Sequence, residues 1–292
     1  MTHHSIPVSH SSFTQNRITN LNICSLNCRS LSKPSALDLS HSFSRFLSSS
    51  GMDILCLQET NAADPDIQDR LDIQLQAKTS IWTQYCGVVS LDPAIQLDNA
   101  YVSTNGRLII CTVSHVNHLF HSFRLMNIYA PSTPYARYDF YADLLQLPYF
   151  RPFLSNLSTQ SFRFPPDAPK LIVGDFNYNF SHFPSSIVYN QLEDPDFVTH
   201  LHLHHPHPPD TTSIISEDPS ATPILDTNDP SNMPPSTKAQ WLWHAMLQQH
   251  YRECSHHLQA DPPLPTFTGG GYRSTIDYMY SEDQNCSNVF MF

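Results

Sequence analysis

Asp175 and Asn177 stand at the end of an apolar run, in the stretch KLIVGDFNYN at residues 170–179. Leu171, Ile172 and Val173 suit a buried strand, and a carboxylate and a carboxamide follow almost at once. Three other apolar runs stop in the same way: Asn27 follows LNICSL, Glu59 follows ILCLQ and Tyr129 follows LMNI. Taken alone, a strand-end Asp or Asn is first read as a turn former. Glu59 resists that reading, because Glu is a poor turn residue and a carboxylate beside a buried strand needs a partner or a metal ion. If the strands belong to adjacent sheets, these polar ends gather on one rim, where a rigid frame can hold a reactive constellation.

The elements that must position them follow from periodicity. Ile18, Leu21 and Ile23 predict a strand ending near Asn27, and MDILCLQET is a short continuous apolar run of the kind buried on both faces. CGVVSL, RLIICTVSH and HSFRLMNIYAPS read as three further strands, the last closed by Pro131. SALDLSHSFSRFLSSSG places Leu39, Phe43, Phe46 and Leu47 at helical spacing, with Gly51 where a helix terminates. YARYDFYADLLQLPYF is a second helix, broken at Pro148, and STKAQWLWHAMLQQHYREC a third. PTFTGGGYRSTIDYMYSED then supplies a loop and a strand. Covered strands alternating with helices favour α/β or α+β layering.

Composition bounds the function classes. The chain has 292 residues, is 40% hydrophobic and only 14% charged, and carries 24 Pro, 7 Gly and 7 Cys. Cys56 and Cys111 lie inside apolar runs and read as buried thiols. The opening segment has no apolar signal core and no run is long enough to span a bilayer, so a reduced, intracellular, membrane-free protein is expected. The net charge of −11 is concentrated: residues 1–189 carry 12 Lys/Arg against 13 Asp/Glu, and residues 190–292 carry 3 against 13. The first two thirds therefore tolerate a polyanionic substrate, although no basic patch calls for one. Residues 1–17 read as a flexible arm. Residues 190–237 hold nine prolines, eight acidic residues and no Lys or Arg, the composition of a disordered insertion. The His run at 200–207 reads as solvated linker, Cys24 and Cys28 as structural, and Trp241 and Trp243 as packing residues. Gly269–Gly271 read as a flexible loop, since no P-loop Lys or Ser/Thr follows.

In order along the chain, NCRSL, LQET, NIYAP, GDFN and STIDYMY resemble the motifs of the endonuclease/exonuclease/phosphatase superfamily. NIYAPSTPYARYDFYADL and TFTGGGYRSTIDYMY most resemble the endonuclease domain of non-LTR retrotransposons. The resemblance covers residues 21–282 apart from the acidic insertion, within a domain spanning 18–292. It implies a four-layer α/β sandwich of two packed mixed β-sheets flanked by helices, and metal-dependent phosphodiester cleavage with Mg²⁺ or Mn²⁺. It implies a metal ligand at Glu59 supported by Asn27, and a water-activating base at Asp175. Asn177 and Tyr129 would be donors to the phosphate, and Asp277 the carboxylate that buttresses a catalytic His. The substrate it implies is DNA, with RNA left open, and a nuclear location if the chain derives from a retrotransposon. Oligomeric state stays open.

The chain departs from the pattern at one place. The family closes on a Ser-Asp-His strand that supplies the phosphate-contacting His, and no Ser-Asp-His occurs in this sequence. His256 and His257 precede the Asp277 strand and are poor substitutes. A C-terminally truncated domain is expected, with a sheet edge left open. Three functional readings follow: a nicking DNA endonuclease weakened by the missing His, an inactive chain that only binds nucleic acid or a partner, and a phosphomonoesterase on the same fold.

Overall fold

The computed structural model of the chain describes residues 21–29, 31, 37–150, 169–178, 235–254, 267–269, 272–274, 277–282 and 289–291. The predicted arm at 1–17, the His run at 200–207 and the predicted insertion as far as residue 234 lie outside these. Residues 235–237, placed in the insertion from composition, instead open a helix.

Two sheets carry the fold. In the first, β1 (Ile23–Asn27) and β2 (Ile54–Gln58) run parallel, with Asn27 level with Gln58. β4 (Cys86–Ser90) and β3 (Thr79–Trp82) extend it antiparallel beyond β2. In the second, β7 (Phe123–Tyr129) and β8 (Leu171–Asp175) run parallel, with Tyr129 level with Asp175. β6 (Leu108–His115) and β5 (Ile95–Val102) extend one side, and β12 (Asp277–Ser281) and β9 (Arg252–Glu253) the other. Each central parallel pair is joined by a helical crossover, α1 (Leu37–Ser48) in the first sheet and α3 (Pro134–Gln146) in the second. Together with α2 (Pro65–Leu75), α1 covers the first sheet, and α3 with α4 (Pro235–His250) covers the second. The architecture is the four-layer α/β sandwich of two packed mixed sheets flanked by helices.

Strand alternation assigns every central residue to a layer. Ile54 and Cys56 of β2, Leu125 of β7, and Leu171 and Val173 of β8 fill the space between the sheets. Leu55 and Leu57 face α1 and α2, whereas Met126, Ile128 and Ile172 face α3 and α4. Trp241 and Trp243 are core residues of α4, as their setting predicts. Cys24, Cys56 and Cys111 are buried free thiols, and Cys28 is a half-buried free thiol.

Several expectations need correction. Phe46, read as part of the buried face of α1, is 56% exposed, while Leu47 beside it is buried. Gly269 belongs to a strand rather than a loop: β10 (Phe267–Gly269) pairs antiparallel with β11 (Tyr272–Ser274), and Gly269 faces Tyr272. β13 (Val289–Met291) pairs in parallel with β1 along Ile23–Ser25. Among the described residues, no helix is long and apolar enough to cross a membrane.

The inter-sheet space turns polar one layer below the rim. Gln58 and Asn127 are both fully buried, on strands of opposite sheets, and Gln58 Nε2 donates to Asn127 Oδ1 at 2.7 Å. Asn127 Nδ2 donates back across the gap to the carbonyls of Leu57 at 3.1 Å and Gly87 at 2.9 Å, and Gln58 Nε2 also meets Ser25 Oγ at 3.2 Å. This layer fixes the stagger of the two sheets directly beneath Glu59 and Tyr129. Truncating Asn127 to Ala removes the shortest acceptor of the Gln58 amide and the side-chain donor to two buried carbonyls, so urea denaturation should show a loss of about 2 kcal/mol. A loss below about 0.5 kcal/mol, the size of an ordinary surface change, would mean that water repairs the layer.

Candidate active site

The C-terminal ends of β1, β2, β7 and β8 reach the same rim, and alternation points their last residues into the gap between the sheets. Asn27 continues the face of Ile23 and Ser25, Tyr129 that of Leu125 and Asn127, and Asp175 that of Leu171 and Val173. Glu59 does not: following Gln58 by one residue, it falls on the opposite face of an ideal strand. Its backbone corrects this with a left-handed φ of 52°, a conformation that costs a non-glycine residue about 1 kcal/mol or more. Asn177, which tolerates that region better, has φ 49°.

The side chains form one connected set. Asn27 Nδ2 donates to Glu59 Oε1 at 2.9 Å and to Asp175 Oδ2 at 2.7 Å, linking the two sheets. The Tyr129 hydroxyl donates to the same Glu59 oxygen at 3.1 Å. Asn27 Oδ1 accepts from the Arg29 backbone N–H at 3.0 Å, which settles which end of the amide faces the carboxylates. Asp175 Oδ1 accepts from the Asn177 backbone N–H at 2.8 Å, so each of its oxygens receives a fixed donor. Asp277 pairs with Asp175 across the β8–β12 ladder, which puts both carboxylates on one face. All six residues named from the sequence are therefore brought together.

The turn after β8 is held from α3. Arg137 Nη1 donates to the carbonyls of Ser132 at 2.8 Å and Asn177 at 2.7 Å, and the Tyr141 hydroxyl donates to the Phe176 carbonyl at 2.8 Å. Asn177 Nδ2 donates to the Ala130 carbonyl at 2.7 Å. One of its two amide hydrogens is thus engaged, and the other is what it could offer to a ligand.

Burial sets the electrostatics. Asp175 is 1% exposed, and burial raises its pKa to about 7, helped by the negative charge of Asp277. The Asn177 N–H and the Asn27 amide oppose the rise. The Tyr129 hydroxyl is pushed up to about 12, first by burial and then by Glu59, so it stays protonated as a donor at neutral pH.

A hard divalent cation fits this donor set. Glu59 is half-buried, and its Oε2 accepts no hydrogen bond from the described residues. Among those residues, no group of three or more His, Cys, Asp and Glu side chains could hold a metal ion. A single half-buried carboxylate flanked by amides suits Mg²⁺, which takes one or two carboxylates and retains several waters, rather than Zn²⁺ in a closed cage.

Sequence reasoning passed over Tyr85 and Arg107, both half-buried at this rim. The guanidinium of Arg107 lies 4.3 Å from the Tyr85 ring centroid and 4.7 Å from that of Tyr129. Both residues sit at turn ends without a local pattern, and only the packing of two sheets unites them.

No family model and no curated protein matches this chain. Solved structures do resemble it. A D. rerio TDP2 complexed with a single-strand DNA product is 12% identical, with 89% of this chain and 82% of that chain covered and a TM-score of 0.48. An endonuclease/exonuclease/phosphatase family protein from Bacteroides thetaiotaomicron is 12% identical over 89% of this chain and 82% of its own, with a TM-score of 0.49. ANGEL2, a 2′,3′-cyclic phosphatase bound to adenosine-2′,3′-vanadate, is 16% identical over 88% and 78%, with a TM-score of 0.44.

Proposed function

We propose that the chain is a Mg²⁺- or Mn²⁺-dependent phosphodiesterase of the endonuclease/exonuclease/phosphatase type that nicks DNA, in the manner of a retrotransposon endonuclease. The observation that carries the reading is the shared amide of Asn27, which ties Glu59 on one sheet to Asp175 on the other at their common rim. Five motifs scattered over the sequence converge there, in the order the superfamily uses them.

The roles follow from chemistry. Glu59 would hold the cation, with Asn27 fixing the carboxylate's orientation. An ion held there would supply Lewis-acid stabilisation of charge on a phosphoryl oxygen. Asp175, with a pKa near 7, accepts a proton from an attacking water close to neutral pH, the range in which a general base is most effective. The second N–H of Asn177 donates to a phosphoryl oxygen, and Tyr129, protonated throughout, joins it by turning its one hydroxyl hydrogen from Glu59 to the phosphate.

The test is relaxation of supercoiled plasmid with Mg²⁺, with EDTA as the control. Glu59→Ala should slow nicking about 10²-fold, the equivalent of a few kcal/mol of lost transition-state stabilisation. Folded wild-type protein that shows no metal-dependent nicking, and no cleavage of RNA or small phosphate esters run in parallel, would overturn the proposal. The alternative reading is binding without cleavage. Retained oligonucleotide binding with no turnover in the same assays would select it.

A further inference from the structure

The segment that joins β7 to α3 is tied to the site but takes no part in the roles above. Residues 132–136 are exposed without a break, Tyr135 to 87%, and Thr133-Pro134 stands among them. Thr133 has extended backbone, φ −82° and ψ 138°, just before α3, and its hydroxyl makes no capping hydrogen bond. The first turn of α3 also carries no acidic residue. It lacks the side-chain cap, worth about 1 kcal/mol, that Asp64 gives α2, and so opens at low cost. A free hydroxyl followed by proline is the acceptor that proline-directed Ser/Thr kinases select. Proline in that place has no backbone N–H to leave unpaired in an apolar pocket. The sequence holds one other such step, Thr222-Pro223.

Two side chains knit this segment to the turn after β8. Asn177 Nδ2 donates to the Ala130 carbonyl, and Arg137 Nη1 donates to the carbonyls of both Ser132 and Asn177. One guanidinium nitrogen thus joins the residue just before Thr133 to the residue assigned as a donor to the substrate phosphate. Both of its partners are neutral carbonyls. Among the described residues Arg137 forms no ion pair with a carboxylate, and its buried Nε has no hydrogen-bond partner. Arg137 lies four residues beyond Thr133, the spacing at which side chains of a helix meet. A phosphate on Thr133 would offer this cation a dianion, and charge-assisted hydrogen bonds are about twice as strong as neutral ones. Arg137 would then leave the Asn177 carbonyl for the phosphate.

We propose that Thr133 is a phosphorylation site through which a proline-directed Ser/Thr kinase turns the enzyme down, by drawing Arg137 away from the turn that carries Asn177. In the transfer, Thr133 Oγ1 bonds to the γ-phosphorus of ATP as the bond from that phosphorus to the β,γ-bridging oxygen breaks. ADP leaves, and the hydroxyl proton passes to the kinase's catalytic carboxylate. The effect on activity rests on the phosphodiesterase reading above, whereas the modification itself does not.

The experiment treats the full chain with a purified proline-directed kinase and MgATP, with Thr133→Ala, Thr222→Ala and Arg137→Gln in parallel. Phosphopeptide mass spectrometry should find phosphate on Thr133 in the wild type and in Thr222→Ala. Phosphate confined to Thr222, or none at all, would overturn the proposal. Plasmid nicking by the wild type should fall about tenfold on phosphorylation, less than the loss of a whole donor because Asn177 is loosened rather than removed. Thr133→Ala should nick like the untreated wild type with or without kinase. Arg137→Gln should be slower at the outset and lose no more than about twofold on phosphorylation, since the bond at stake is already gone. An equal fold loss in Arg137→Gln and wild type would mean plain charge repulsion and overturn the route through Arg137. Should the wild type nick nothing, the phosphodiesterase reading fails on its own. Hydrogen exchange then judges the switch: a peptide covering residues 171–178 should exchange about tenfold faster once Thr133 is phosphorylated, and unchanged exchange would overturn it.

Discussion

Replacing Asp175 by Asn is expected to cut metal-dependent hydrolysis about 10³-fold while making the metal-free protein more stable at pH 8. The loss of activity follows from removal of the proposed general base, a class of group worth about 10²–10⁴ in rate. The gain in stability follows from linkage. Asp175 has its pKa raised to about 7 by burial and by Asp277. In the unfolded chain the same carboxyl titrates at about 3.9. Between those values the folded state binds the extra proton, so stability falls as pH rises. The contribution is fully present below about pH 4 and lost by pH 8, with an upper bound of about 4 kcal/mol.

Asn resembles the protonated acid in one further respect. Both Asp175 oxygens receive donors, from Asn27 and from the Asn177 backbone, so either a protonated carboxyl or an amide turns a hydrogen toward one of them. That mismatch is common to both species and cancels at low pH. Thermal melts in EDTA should therefore give similar stability for the two proteins at pH 4. At pH 8 the variant should be ahead by about 1–3 kcal/mol, below the linkage bound because partial hydration relaxes a buried charge. A variant less stable by the same amount at every pH would show that Asp175 is an ionised structural anchor rather than a strained, poised base.

This arrangement explains why the site was legible from the sequence and where legibility ended. A polar residue that closes an apolar run is visible without any structure, and Asn27, Glu59, Tyr129 and Asp175 were found that way. Their convergence depends on strand phase. Asn27, Tyr129 and Asp175 are in register with residues that fill the inter-sheet core, whereas Glu59 arrives through its left-handed backbone, which no alternation pattern contains. The Gln58–Asn127 layer lies within the same motifs, but its function is a contact between residues 69 positions apart on different sheets.

Elements with weak periodicity leave no such signal. In α2 only Leu71 and Leu75 are buried, although Asp64 caps the helix and Pro65 opens it. β5 is an edge strand with mostly exposed residues, and β3 is half-buried throughout. Central strands declare themselves because both faces are covered. Edge strands and surface helices bury too little to leave a pattern.

Gly174 is the residue on which the placement of Asp175 depends most, and Gly174→Ala is expected to cost more than about 4 kcal/mol, an exceptional value for a single substitution. Two independent conflicts combine. Gly174 has φ +136°, a conformation that L side chains rarely adopt. A Cβ there would also stand 2.0 Å from the Ile128 carbonyl oxygen and 2.8 Å from its carbon, on the paired strand β7. Those atoms are backbone within a ladder and cannot swing aside as the tip of a flexible side chain could. Relief would require β7 and β8 to part at the level of Ile128 and Gly174, one residue before Tyr129 meets Asp175. With ordinary domains stable by about 5–15 kcal/mol, much of the margin would go. The urea midpoint, or the soluble yield where none can be measured, reads the effect. A Gly174→Ala protein with a near-native midpoint would mean that β8 is not pressed against β7 at this point. Asp175 would then be free to move relative to Tyr129, and the proposed catalytic geometry would lose its frame.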